Sequence, residues 1–235
     1  MAPRTSSPRV ALAAVAASLV VAGCATEAEA PPAASYLALG DSYTIGESVP
    51  AADRWPVRLV DALAGDGIEV EALTIIARTG WITDELLDGI AAAAPEGPFD
   101  LVTLQIGVND QFRGRSLDFF RRGFTDVLDT AIELAGGDPV RVVVLSIPDW
   151  GVTPFAAGQD GAAIAAEIDA FNVVVAEETA RRKARFVDVT AISRDVAADR
   201  SLVAEDGLHP SGSQYAQWVE RVLPVVRAVL AKTQG

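Results

Sequence analysis

The chain predicts an α/β fold in which a parallel sheet of about five strands is covered by helices on both faces. Strand-like and helix-like segments alternate along its 235 residues, the order such a sheet requires. Two strand-like runs, Leu101-Val102-Thr103-Leu104-Gln105-Ile106 and residues 140–147, are almost continuously apolar, as strands buried on both faces are. Ser42, Gly80, Asn109 and Asp149 each lie just beyond a predicted strand. Right-handed crossovers put every carboxyl strand end on one side, so all four are expected to open onto the same face.

The first strand is the apolar run from Tyr36 to Leu39, and it ends in Gly40-Asp41-Ser42-Tyr43. The carboxyl end of a strand in an open α/β sheet faces the ligand crevice, so a serine on that turn is exposed and close to the N–H groups of the next helix. Asp41 and Thr44 are candidates for local capping. After a polar loop, Trp55, Leu59, Val60 and Leu63 recur at helical spacing within 52–63, and Gly65 stops the run. Residues 68–76 are rich in β-branched side chains and read as the second strand, followed by a turn at Arg78-Thr79-Gly80-Trp81. Thr83 is placed to cap a helix over 84–94, which Pro95 and Pro98 break. The buried strand at 101–106 ends in Gly107-Val108-Asn109-Asp110. A helix over 116–134 closes at Gly136-Gly137, and the strand over 140–147 ends at Pro148-Asp149-Trp150-Gly151. A helix over 162–183, a short strand over 185–189 and a closing helix over 211–231 complete the pattern. Pro224 is expected to kink or interrupt the last helix. There is no sign of an internal repeat or a second domain.

Composition narrows the function classes. The formal net charge of -13 argues against nucleic acid, whose phosphates it would repel, and against electrostatic docking on anionic lipid. With one cysteine and one histidine, neither an intrachain disulfide nor a Cys/His zinc site can be assembled, and no spacing suggests a carboxylate metal site. At the amino terminus, Arg4 and Arg9 precede an apolar run over 10–21 that ends in Val21-Ala22-Gly23-Cys24. These are the marks of a secretory signal, and the run falls short of the ~20 residues of a comfortable membrane span. The ending resembles the lipobox of bacterial lipoproteins. That resemblance implies removal of residues 1–23, lipidation of Cys24, and export to the cell envelope with the lipid as the only membrane contact. An ordinary cleaved signal is the alternative. Residues 24–35 are small, acidic and proline-bearing and read as a flexible tether, so the folded domain is expected over 36–235.

A serine hydroxyl becomes a nucleophile only when a base reaches it. The sole histidine, His209, stands in Asp206-Gly207-Leu208-His209-Pro210. The i, i+3 spacing on a tight turn can bring the Asp206 carboxylate to the imidazole Nδ1, fixing its tautomer and stabilising the imidazolium. Gly80 allows a backbone N–H to approach a substrate, and Asn109 offers a neutral side-chain donor, the two kinds of group that stabilise an oxyanion. Each also has a plainer reading, as a turn glycine and an Asx-turn asparagine. Trp81, Phe112, Trp150 and Phe155 lie near strand ends, where they line an acyl or aryl pocket or serve as packing aromatics.

Taken together, Gly40-Asp41-Ser42-Tyr43, Gly80, Gly107-Val108-Asn109-Asp110 and Asp206-Gly207-Leu208-His209-Pro210 resemble the four blocks of the SGNH hydrolases, the GDSL lipase/esterase superfamily. The first block lacks the leucine of the family's name. The Gly-x-Ser-x-Gly elbow of α/β-hydrolases is not met, since Thr44 stands where its second glycine would be. The resemblance implies a flavodoxin-like three-layer α/β/α sandwich that hydrolyses ester or thioester bonds without metal or cofactor. It implies Ser42 as nucleophile, His209 as base, Asp206 as orienting acid, and an oxyanion hole from the Ser42 and Gly80 N–H groups and the Asn109 amide. Small acyl esters or lysophospholipid-like molecules are the expected substrates. The alternatives are an O-acyltransferase or carbohydrate deacetylase with the same triad, or a binding lipoprotein without catalysis.

Overall fold

A computed structural model of the protein describes residues 1–3 and 33–233. The predicted signal segment, the lipidation candidate Cys24 and the tether up to Pro32 lie outside the described residues, apart from the first three. By its contacts the chain divides between Ala30 and Pro31, and every described strand and helix belongs to the second unit.

Five parallel strands form one sheet: β1 (Ala34–Gly40), β2 (Val70–Ala77), β3 (Leu101–Gln105), β4 (Val142–Leu145) and β5 (Arg185–Val187), in the order β2-β1-β3-β4-β5. This is the flavodoxin-like winding, whose switch point lies between β1 and β3. Every residue of β3 and of β4 is buried, which accounts for their nearly continuous apolar runs. β1 begins two residues before the predicted domain start. The Ala34 N–H donates to the Glu69 carbonyl at 2.8 Å, and the Ser35 N–H and hydroxyl both donate to Asp100 Oδ2 at 3.0 Å.

The long helices are α2 (Trp55–Gly65), α3 (Thr83–Ala93), α5 (Leu117–Leu134), α6 (Gly161–Arg181) and α8 (Gly212–Thr233), with short helices α1 (Ser42–Ile45), α4 (Val108–Phe112) and α7 (Thr190–Arg194) between them. α2 packs on α8, while α3, α5 and α6 pack side by side. β3 touches both α5 and α8, so the sheet is sandwiched between the two sets. Apolar periodicity and caps set these helices. Leu59 and Leu63 of α2 are fully buried, Ser116 caps α5 through the Phe119 N–H, and Asp160 caps α6 through Ala162 and Ala163.

Two local expectations are corrected and one, for Pro224, is narrowed. Thr83 is the first residue of α3 rather than its cap, because its hydroxyl and N–H are both bound to Asp110. Pro224 lies inside α8 without interrupting it. Asp149 does not open onto the face of the strand ends. It is buried, capping the turn at Trp150–Val152 through the Gly151 N–H and accepting from Arg194 Nε at 2.9 Å.

Register decides what meets at the strand ends. Gly40 pairs with Ala77 on one side and with Gln105 on the other, so β1, β2 and β3 finish level. Ser42, Gly80 and Asn109 follow those three ends by two, three and four residues, and so emerge side by side at the switch point.

Candidate active site

Gly40 makes the first turn possible. A Cβ there would stand 2.1 Å from Thr44 Oγ1 and 2.5 Å from the Gln105 carbonyl oxygen, so only a glycine lets β1 turn this tightly into α1. Asp41 caps α1, accepting from the Tyr43 N–H at 3.0 Å through Oδ1. Ser42 is therefore the first helical residue, and the N–H at that position has no intrahelical acceptor. Asp41 is fully buried, and its Oδ2 has no hydrogen-bond partner. Burial raises its pKa to about 8, against the bond from Tyr43 and with a further push from the charge of Asp110.

The last loop carries the histidine. A bridge between Val203 and Pro210 and a bond from the Ala204 N–H to the His209 carbonyl (2.8 Å) close the 203–210 turn on itself. Within it His209 Nδ1 lies 2.6 Å from Asp206 Oδ2, while Oδ1 accepts from the backbone N–H of Leu208 (2.9 Å) and of His209 (3.0 Å). A second donor to Oδ2 is Ser48 Oγ at 2.7 Å. Partial burial opposes ionisation of Asp206, but the bonds from Ser48, His209 and the two backbone groups outweigh it and hold the carboxyl well below the usual range. An ionised Asp206 obliges Nδ1 to be the donor, which leaves Nε2 of the neutral ring as an acceptor.

A cleft of about 140 Å³ brings the two ends together. Its lining includes Ser42, Gly80, Asn109 and His209, with Val108, Phe112, Trp150, Phe155 and Leu208 as its apolar wall. Ser42 and His209 are both nearly buried, at 4% and 7% exposure, with the Tyr43 ring 5.3 Å from the imidazole, centroid to centroid. Among the described residues no hydrogen bond joins Ser42 Oγ to His209. Gly80 has φ +83°, a left-handed conformation that glycine adopts without strain. The Asn109 side chain donates through Nδ2 to the Trp81 carbonyl at 3.0 Å.

Three of the four aromatics named from the sequence line the cleft and touch one another. Phe112 and Trp150 lie 5.4 Å apart by ring centroids, Trp150 and Phe155 6.0 Å, Phe112 and Phe155 6.2 Å. Trp150 Nε1 is anchored on Gln111 Oε1 at 2.8 Å. Trp81 is the exception. It does not line the cleft, and its indole lies over Gly89 of α3, where a Cβ would come within 2.1 Å of the ring.

Several residues that build the site carry no signal that spacing or periodicity reveals. Asp110 accepts from the Thr83 N–H (3.1 Å) and hydroxyl (2.9 Å). Arg113 donates to the Gly80 carbonyl (2.5 Å) and to Glu85 (3.1 Å). Together with the Asn109 bond they fasten the turn holding Gly80 to α4. Burial raises the pKa of Asp110 to about 6, against its bonds to Thr83. The position of Asp110 directly after Asn109 is the one clue the sequence offered. Among the described residues no cluster of His, Cys, Asp and Glu is arranged to hold a metal ion.

Solved structures share this architecture. TesA superposes with a TM-score of 0.66 at 21% identity, covering 83% of this chain and 99% of that one. The lipase/acylhydrolase from Enterococcus faecalis gives 0.61 at 21% identity, covering 85% and 96%. Axe2, an acetylxylan esterase from Geobacillus stearothermophilus, gives 0.64 at 17% identity, covering 84% and 95%. At such identities the likeness is one of fold. No curated protein matches the sequence. Residues 38–217, which run from β1 through the Ser42 turn and the His209 loop into α8, match the model of the GDSL-like lipase/acylhydrolase family, and the chain belongs to that family, the SGNH hydrolases.

Proposed function

We propose that this hydrolase is a serine esterase in which Ser42 is the nucleophile, His209 the general base and Asp206 its orienting acid. The observation that carries the reading is that His209, paired with Asp206, lines one cleft together with Ser42, Gly80 and Asn109. His209 Nε2 takes the Ser42 proton as the hydroxyl attacks an ester carbonyl. Negative charge on the carbonyl oxygen is received by the Ser42 N–H, the Gly80 N–H and the Asn109 amide. His209 then returns the proton to the leaving alcohol, and water repeats the cycle to free the acid. The gap between Ser42 and His209 fits a hydrogen bond that tightens when substrate binds.

The substrate is a carboxylic ester with a short acyl or single-ring aryl group, bound against Phe112, Trp150 and Phe155. The amino-terminal segment delivers the enzyme to the cell envelope, where lipidated Cys24 anchors it. Purified full-length chain should hydrolyse p-nitrophenyl acetate, and Ser42→Ala should lower kcat by at least ~10³. Undiminished turnover in that variant would dispose of the proposal.

A further inference from the structure

The nucleophile and the base reach the cleft from opposite ends of the chain, and no hydrogen bond joins them directly. What sets their separation is therefore a question about the segments that carry them, residues 42–50 and 203–210. Among the described residues these segments share one hydrogen bond, from Ser48 Oγ to Asp206 Oδ2 at 2.7 Å. The accepting oxygen is the one that also takes His209 Nδ1. Ser48 holds φ +64°, a left-handed conformation uncommon for a non-glycine residue. Such conformations persist where the surroundings impose them, and they concentrate at functional sites. The neighbouring Glu47 accepts from the Thr79 hydroxyl, and Thr79 lines the cleft next to Gly80. The loop after α1 is thus tied at one residue to the acid of the triad and at the next to the wall that carries Gly80.

We infer that Ser48 is a positioning residue of the esterase, holding the Asp206 carboxylate, and through it the His209 ring, at the reach from Ser42 that proton transfer requires. With the Ser48 hydroxyl in place all four hydrogen bonds to Asp206 come from the protein, two on each oxygen. Without it Oδ2 keeps only the imidazole, water takes the vacant lone pair, and the link between the two halves of the site is lost. Because Ser48 lies outside the cleft lining, it acts on the chemistry and not on substrate binding. The inference rests on the triad reading above.

The backbone conformation makes the test clean. Glycine suits φ +64° better than serine does, so Ser48→Gly removes the hydroxyl without straining the loop. Asparagine also tolerates that conformation and restores a donor. In the full-length chain Ser48→Gly is expected to lower kcat for p-nitrophenyl acetate about tenfold with KM unchanged, and Ser48→Asn to recover it to within about threefold of wild type. A fluorophosphonate probe should label Ser42 in all three proteins, more slowly in Ser48→Gly. Labelling at Ser42 with kcat unchanged in Ser48→Gly, or an equal loss in both variants, would overturn the role of Ser48 alone. Failure to label Ser42 in the wild type would overturn the triad reading and this inference with it.

Discussion

Asp41 stands beside Ser42 with one carboxylate oxygen bonded to a backbone N–H and the other buried without a partner. Burial favours its neutral form and raises its pKa from 3.8 to about 8. Between those two values the folded protein holds a proton that the unfolded chain releases, so Asp41 makes stability fall as pH rises through the window. Asp206 has the opposite sign: its pKa is lowered on folding, so its contribution is present above 3.8 and lost as pH falls below it. Asp41→Asn keeps an N-cap acceptor and removes the titration. Relative to this variant the wild type should lose on the order of 1 kcal/mol of stability per pH unit between about pH 5 and 7.5, measured by urea denaturation. Parallel pH dependences for the two proteins would show that Asp41 does not titrate in that window. Sequence placed Asp41 correctly as a cap, since Asp before a helix start is a local signal. The orphaned oxygen was invisible, because the burial of a side chain depends on packing that no local pattern records.

At the scale of elements, α4 is only five residues long, yet it organises one side of the cleft. Asn109 binds the Trp81 carbonyl, Asp110 binds Thr83, Phe112 joins the aromatic wall, and Arg113 at the helix end holds the Gly80 carbonyl. The buried Asp110–Thr83 contact is the firmest of these, since both residues are fully enclosed. Asp110→Ala leaves the Thr83 N–H and hydroxyl buried without acceptors and should cost roughly 2–3 kcal/mol in denaturant unfolding, with kcat reduced as well. A loss below ~0.5 kcal/mol would mean that water replaces the carboxylate without penalty. The spacing of Gly107-Val108-Asn109-Asp110 pointed to Asn109, but its partners lie near residue 82, and hydrogen bonding between the ends of two strands leaves no periodic trace. For the same reason the sequence offered Thr83 as a cap when its donors are spent on Asp110.

The whole molecule sets the size of the substrate. Loops from the ends of β1, β2, β3 and β4 and the turn before α8 enclose about 140 Å³, well under the ~300–1,000 Å³ of pockets that hold drug-sized ligands. Phe112 and Phe155 nevertheless remain 54% and 46% exposed at its mouth, so the apolar wall continues outward as an open ledge. In a series of p-nitrophenyl esters, kcat/KM should peak at short acyl chains and fall about tenfold or more by the longest. Phe112→Ala should move the optimum toward longer chains, since removing the ring deepens the apolar wall. An optimum at long chains in the wild type would refute the size argument.

The sequence by itself determined the alternation of strands and helices, the four blocks and their order, and the Asp206–His209 pairing, because each depends on neighbours within a few residues. Hydrophobic periodicity records which face of an element is buried, and a turn motif records its own hydrogen bonds. Only the tertiary structure decided that Trp81 leaves the cleft for α3, that Asp149 is locked away on Arg194, and that Ser48 reaches Asp206 from 158 positions away. Those outcomes depend on the level finish of three strands and on packing between distant segments, and chain order carries no local mark of either.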